Sequence, residues 1–134
     1  MTGLDTNVVV RYLTQDDPRQ CKTVNDLLDR AAGSEEPTFR LNAVVLAEIV
    51  WVLDSVYGFG RHEISQVLTL LLAVRQIDVE RRQPAKLALD AFASGTADFA
   101  DYLIAALDRE AGCESTLTFD KTAARIPGFS LLST

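Results

Sequence analysis

Met1-Thr2-Gly3-Leu4-Asp5-Thr6-Asn7-Val8-Val9-Val10-Arg11-Tyr12-Leu13 opens the chain. Thr2 to Asp5 reads as a short strand that ends on an acid, and an apolar pattern resumes two residues later. Thr6 or Asn7 is a natural helix cap, because its side-chain oxygen accepts an orphan N–H of the first turn. Asp5 then stands where a strand ends and a helix begins, the edge at which open α/β sheets bind ligands. Asp5 is equally readable as a cap or turn residue in its own right. Its weight therefore depends on whether other acids converge on it.

Composition bounds the answer. The 134 residues, 48% of them apolar, are enough for one domain over 1–134 with a proper core. No apolar run approaches the ~18 residues a membrane span requires. The N-terminus lacks a basic segment followed by an apolar one, so no signal peptide is expected. Cys21 and Cys113 are too far apart for a zinc or redox spacing, which suits a cytoplasmic protein without disulfides. His62 is the single histidine, which argues against histidine-based metal binding or a Ser-His-Asp triad. The net charge of −6 opposes general attraction to nucleic acid and suits a protein that gathers carboxylates in one place.

Further along, strands alternate with helices. Asn7 to Leu13 is a short helix. Asp16-Asp17-Pro18 starts a second, running to about Ala32, with an acid as cap and proline at the first helical position. Thr38 to Leu41 is a strand. Ala43 to about Tyr57 is the most apolar segment, too long for a strand and so a buried helix. Arg61 to Val74 is a helix with Ile64, Val67, Leu68, Leu71 and Leu72 inward. Ile77 to Val79 is a third strand, and Gln83-Pro84 opens a helix that ends near Gly95. Thr96 or Asp98 caps the next helix, which stops at Gly112. Ser115 to Phe119 is a fourth strand, Lys121 to Ile126 a helical turn, and Phe129 to Leu132 a last strand. This order predicts an α/β fold, a central parallel sheet of about five strands covered by helices on both faces.

Four acids stand out. Glu48 is the only charge between Leu41 and Leu53. A carboxylate inside such a helix needs a partner such as Arg11 or Arg40, a hydrogen-bond network or a wet cleft. Asp98 and Asp101 share one side of a helix start, where negative charge is favourable, so either could be only a cap. Asp120 directly follows a strand, as Asp5 does, and could also be a cap. If both strands are central and parallel, Asp5 and Asp120 emerge at the same edge. Several carboxylates in one cleft repel unless a cation neutralises them. Oxygen-only donors favour Mg²⁺ or Mn²⁺ over zinc, and such an ion suits phosphoryl chemistry.

These residues resemble a known family. Leu4-Asp5-Thr6-Asn7-Val8 with Arg11-Tyr12-Leu13, Leu46-Ala47-Glu48, Asp98-Phe99-Ala100-Asp101-Tyr102-Leu103-Ile104-Ala105 and Leu117-Thr118-Phe119-Asp120-Lys121 together resemble a PIN domain. Within that superfamily the chain is similar to the VapC toxins of toxin–antitoxin pairs. The resemblance implies a metal-dependent ribonuclease on a parallel-sheet sandwich. Asp5, Glu48, Asp101 and Asp120 match the family's acidic quartet, with Asp5, Asp101 and Asp120 as ligands of Mg²⁺ or Mn²⁺. Asp98 matches an accessory acid, Thr118 the hydroxyl residue near the last acid, and Thr6 and Asn7 the positions that shape the first. It further implies an RNA substrate, a homodimer and a VapB-like protein antitoxin received near Trp51 and Tyr57. RNA docking would fall to local groups such as Arg11, Arg81, Arg82, Lys121 or Arg125.

Three other classes compete. A phosphoacceptor receiver domain would want paired acids after strand one, which Leu4-Asp5-Thr6 lacks. A haloacid-dehalogenase-like phosphatase would need an acid where Asn7 stands. A nonenzymatic interaction protein on the same fold is the third.

Overall fold

The computed structural model describes residues 1–134. Five short strands alternate with six helices: β1 (Thr2–Gly3), α1 (Thr6–Thr14), α2 (Pro18–Ala31), β2 (Phe39–Leu41), α3 (Ala43–Ser55), α4 (Arg61–Leu72), β3 (Ile77–Val79), α5 (Arg82–Ser94), α6 (Phe99–Glu110), β4 (Thr116–Thr118) and β5 (Phe129–Leu131). A 3₁₀ turn, Ala123–Arg125, lies between the last two strands. The order follows the sequence reading throughout, and every strand pair is parallel.

The sheet departs from expectation. The strands form two separate sheets, β1-β2-β3 and β4-β5, in place of one five-stranded sheet. β1 is only two residues long and pairs with β2 through Thr2 N–H to Thr38 O and, just past its end, Leu4 N–H to Arg40 O, both at 2.9 Å. So short a strand offers few ladder groups to a second neighbour. The two faces of the larger sheet also differ. Phe39, Leu41, Ile77 and Val79 are buried on one. On the other, Arg40 and Asp78 sit in register and pair at 2.9 Å, with side chains 42% and 40% exposed. The expected cover on that second face is therefore partial.

The helices are built around one contiguous core. Leu41, Leu46, Ile49, Leu53, Ile64, Leu68 and Leu89 supply its most enclosed side chains. α1 packs on α2 and α3, α3 on α4 and α6, α4 on α5, and α5 on α6. A small satellite of Ala97, Ala105 and Ile126 seats the β4–β5 region against α6. No helix is long and apolar enough to cross a membrane.

Local signals explain the boundaries. Asp17 caps α2 by accepting from the N–H groups of Arg19 and Gln20, with Pro18 at the first position. Asn42 caps α3 through Val45 N–H at 2.9 Å. Aromatic and cationic contacts fix the start of α6. The Arg61 guanidinium lies 4.4 Å over the Phe92 ring, and Phe92 meets Phe99 edge-on at 5.9 Å.

Gly95 lets α5 end against α6. A Cβ there would overlap the Tyr102 hydroxyl and sit 2.8 Å from the Ala91 carbonyl oxygen. Gly95→Ala is expected to cost about 1–3 kcal/mol, the usual range for overpacking. Urea denaturation measures this; an unchanged midpoint would show that the Tyr102 side chain and the Ala91 backbone yield without cost.

Candidate active site

Asp5 terminates the β1 segment and is itself the N-cap of α1. Its Oδ1 accepts from Thr6 N–H at 2.7 Å. This corrects the expectation that Thr6 or Asn7 caps the helix. The cap anchors Asp5 by one oxygen at the start of α1 and leaves Oδ2 without a protein partner. Thr6 is the first helical residue and the only buried polar residue in the chain. Its hydroxyl donates to Glu48 Oε2 at 3.1 Å. Asn7 is exposed beside them.

Of the outcomes open to Glu48, the structure shows a hydrogen bond and a cleft and no arginine partner. Glu48 lies on the exposed side of α3. Its partner is Thr6, and neither candidate arginine reaches it. Arg40 pairs with Asp78 and Glu80. Arg11 donates to Asp16 at 3.1 Å, to the Tyr57 hydroxyl at 2.8 Å and to Gln20 at 2.6 Å. Glu48 therefore meets its need through a hydroxyl and a wet cleft. That cleft, about 360 Å³, is lined by Asp5, Thr6, Asn7, Arg11, Glu48 and Tyr57 over an apolar floor of Val10, Val52 and Val56.

Asp98, Asp101 and Asp120 form the second acidic group. Asp98 occupies the N-cap position of α6 but makes no side-chain cap bond. Only its carbonyl oxygen is used, accepting from Asp101 N–H at 3.0 Å. The purely structural reading of Asp98 as a capping side chain thus fails. Asp101 is half-buried, and burial raises its pKa, reinforced by the negative charges of Asp98 and Asp120. Asp120 does cap the chain beyond β4. Its Oδ1 accepts from Thr122 N–H at 2.8 Å and Ala123 N–H at 3.3 Å, while its own N–H donates to Thr118 Oγ1 at 3.0 Å. Thr118 thus orients the loop that carries Asp120.

The structure joins Asp5 to Glu48 through Thr6, and Asp101 to Asp98 and Asp120 through their charges. It does not draw three acids together into a ready-made metal cage. None of the five acids enters an ion pair. Glu80 shows the contrast. It also follows a strand, but it is spent on Ala43 N–H and Arg40, which lower its pKa in that order against desolvation. The five acids outside ion pairs offer oxygen donors alone, which suits a hard divalent ion. Mg²⁺ is commonly held by one or two carboxylates with waters completing its shell, so an open arrangement fits it.

The Arg11 latch was not foreseen. Asp16 was expected to help start α2, but Asp17 does that. Asp16 instead accepts from Arg11, Thr14 and the Tyr57 hydroxyl, the last at 2.7 Å. The Tyr57 bond is the largest of the effects that lower the Asp16 pKa. The only signal in the sequence was an unexplained second acid beside Asp17. Of the other cations considered for RNA docking, Arg81 pairs with Glu110, and Arg82 is spent on the carbonyls of Leu72 and Ile77. Lys121 and Arg125 are exposed. His62 is exposed at the start of α4.

An α/β protein with unpaired acids at strand ends and helix starts has the oxygen-only donor set that suits a hard divalent ion. The comparison with protein families narrows this: the PIN domain family model matches residues 4–128, and the chain belongs to that family. PIN domains are generally metal-dependent nucleases, so the family points to nuclease chemistry here. No curated protein matches the chain.

The raised Asp101 pKa has a sign that can be checked. The folded state holds this proton more tightly than the unfolded chain does. Its stabilising contribution is full below the unfolded pKa and is lost as pH rises through the folded one. Asp101→Asn should therefore raise Tm by a few degrees at pH 7 in EDTA, with the gain vanishing toward pH 3. Thermal melts across that range test it; a variant less stable than wild type at pH 7 would refute the cost of burying the Asp101 charge beside Asp98 and Asp120.

Proposed function

We propose that this protein is a Mg²⁺- or Mn²⁺-dependent endoribonuclease acting as a VapC-like toxin, neutralised by a VapB-like protein antitoxin. The observation that carries the reading is five unpaired acids, Asp5, Glu48, Asp98, Asp101 and Asp120, on a PIN-domain chain. Asp5 and Asp101 would hold the ion directly or through water, with Asp120 contributing, and Asp98 would add charge beside Asp101. A bound divalent ion would supply neutralising charge at the phosphate and favour ionisation of water. Glu48, fixed through one oxygen by Thr6, has its other oxygen available to orient a water and take its proton. That water attacks phosphorus in line. The bond to the 3′ oxygen breaks and that oxygen takes a proton from solvent, leaving a 5′-phosphate on one fragment and a 3′-hydroxyl on the other.

Partners are part of the proposal. Along α3, Val44 and Trp51 are 69% and 65% exposed on either side of Glu48, and Val56, just past the helix end, is 66% exposed. Exposed apolar side chains beside a candidate active site suit an antitoxin segment, whose arginine could occupy the acidic cleft in place of the metal. A homodimer and a cytoplasmic setting complete the reading.

Incubating the protein with single-stranded RNA and Mg²⁺ or Mn²⁺ should give cleavage that EDTA abolishes. Asp5→Asn should lower the rate by about 100-fold or more, in line with lost transition-state charge stabilisation. Calorimetric titration with Mn²⁺ should show binding by wild type that Asp5→Asn weakens. A fully active Asp5→Asn variant, or cleavage indifferent to EDTA, would overturn the proposal.

A further inference from the structure

A second concavity adjoins the acidic cleft. It lies between α1 and α2, has a volume of about 440 Å³, and is walled by Asn7, Arg11, Arg19, Gln20 and Thr23 over two valines. Asn7 and Arg11 line both concavities, so the groove continues directly from the cleft that holds Asp5 and Glu48. The polar groups along it are unequal. Arg11 is already fixed by Asp16, Tyr57 and Gln20. Arg19 is exposed, and its guanidinium has no ion pair and no hydrogen bond within the protein. The Asn7 side chain is likewise exposed and unbonded. The acids nearest in sequence form no ion pair with Arg19. Asp16 is paired with Arg11, and Asp17 turns one oxygen to the N–H groups of Arg19 and Gln20 as the cap of α2. Neither lines the groove.

We infer that the α1–α2 groove is a phosphate subsite for single-stranded RNA, gripping a backbone phosphate next to the one cleaved, with Arg19 as its free cation and Asn7 as a hydrogen-bond donor. The inference rests on the nuclease reading above. A chain of net charge −6 with a cluster of bare carboxylates repels a polyanion. Binding then needs local positive charge beside the acids. A guanidinium is suited to this, because its planar fork matches a phosphate's oxygens. Arg11, held rigid at the shared wall, fixes where the strand passes from one concavity to the other. An acidic protein segment is the competing occupant. It would meet a short, mostly polar groove with little apolar surface to bury.

The test uses the full chain and a fluorescent single-stranded RNA. Binding is measured on the Asp5→Asn background and cleavage on the wild-type background, each with Arg19→Ala, Arg19→Glu or Arg75→Glu. Arg75 is exposed and precedes β3, at the opposite edge of the sheet from Asp5, so it controls for net charge. Arg19→Ala should weaken RNA binding about fivefold and reduce the slope of log K against log salt by about 0.7, one phosphate's share. Arg19→Glu should weaken it further, raising KM while kcat holds, and Arg75→Glu should do neither. Equal effects of Arg19→Glu and Arg75→Glu on a protein that does cleave RNA would overturn the subsite alone. So would RNA affinity left intact by Arg19→Glu, which would leave the groove to the competing acidic segment. Absence of both RNA binding and metal-dependent cleavage in wild type would overturn the nuclease reading and the subsite with it.

Discussion

The Thr6 hydroxyl is the constraint on which the candidate site rests. Thr6 is the one buried polar residue in the chain, and a buried hydroxyl without a partner costs about 1–3 kcal/mol. Its partner is Glu48, forty-two residues away on α3. Its backbone N–H meanwhile holds Asp5. A single residue therefore sets the relative position of two acids that lie on different elements. The packing of α1 on α3 is what keeps the hydroxyl buried, so the apolar core and the acidic cleft are held by the same contact.

The strand-end acids show how the same placement can have opposite outcomes. Asp5, Asp120 and Glu80 all follow strands. Glu80 meets a cation and a backbone N–H, and its charge is satisfied within the fold. Asp120 and Asp5 meet only backbone N–H groups, which orient a carboxylate and use one oxygen but leave the other open. Capping and ligation are thus compatible roles. A cap bond holds the acid still, which lowers the entropy that binding an ion would otherwise cost.

Much of this was legible in the sequence. The alternation of elements, their boundaries within a few residues and the isolation of Glu48 in an apolar segment could all be read from periodicity and capping residues. The failures have physical causes. The division of the sheet depends on how many ladder groups a two-residue β1 can share, and residue types do not encode that. The sequence left open whether Glu48 meets an arginine, a hydrogen-bond network or a wet cleft; α3 turns one narrow side outward, with Val44 and Trp51 exposed on it, and Glu48 opens there into the cleft. Asp16 and Asp17 are adjacent and chemically alike. Which one caps and which one joins Arg11 and Tyr57 is decided by tertiary contacts forty residues away. The α1–α2 groove is invisible in sequence for the same reason, since Asn7 and Arg19 meet only after two helices pack.

Trp51 stands one helical turn past Glu48 and is the only indole in the chain. Its ring is already largely hydrated in the folded protein. Its emission therefore says little about unfolding and much about whatever comes to cover α3. A blue shift would mark the moment that water leaves that face, so the protein carries its own optical reporter for occupancy next to its acidic cleft.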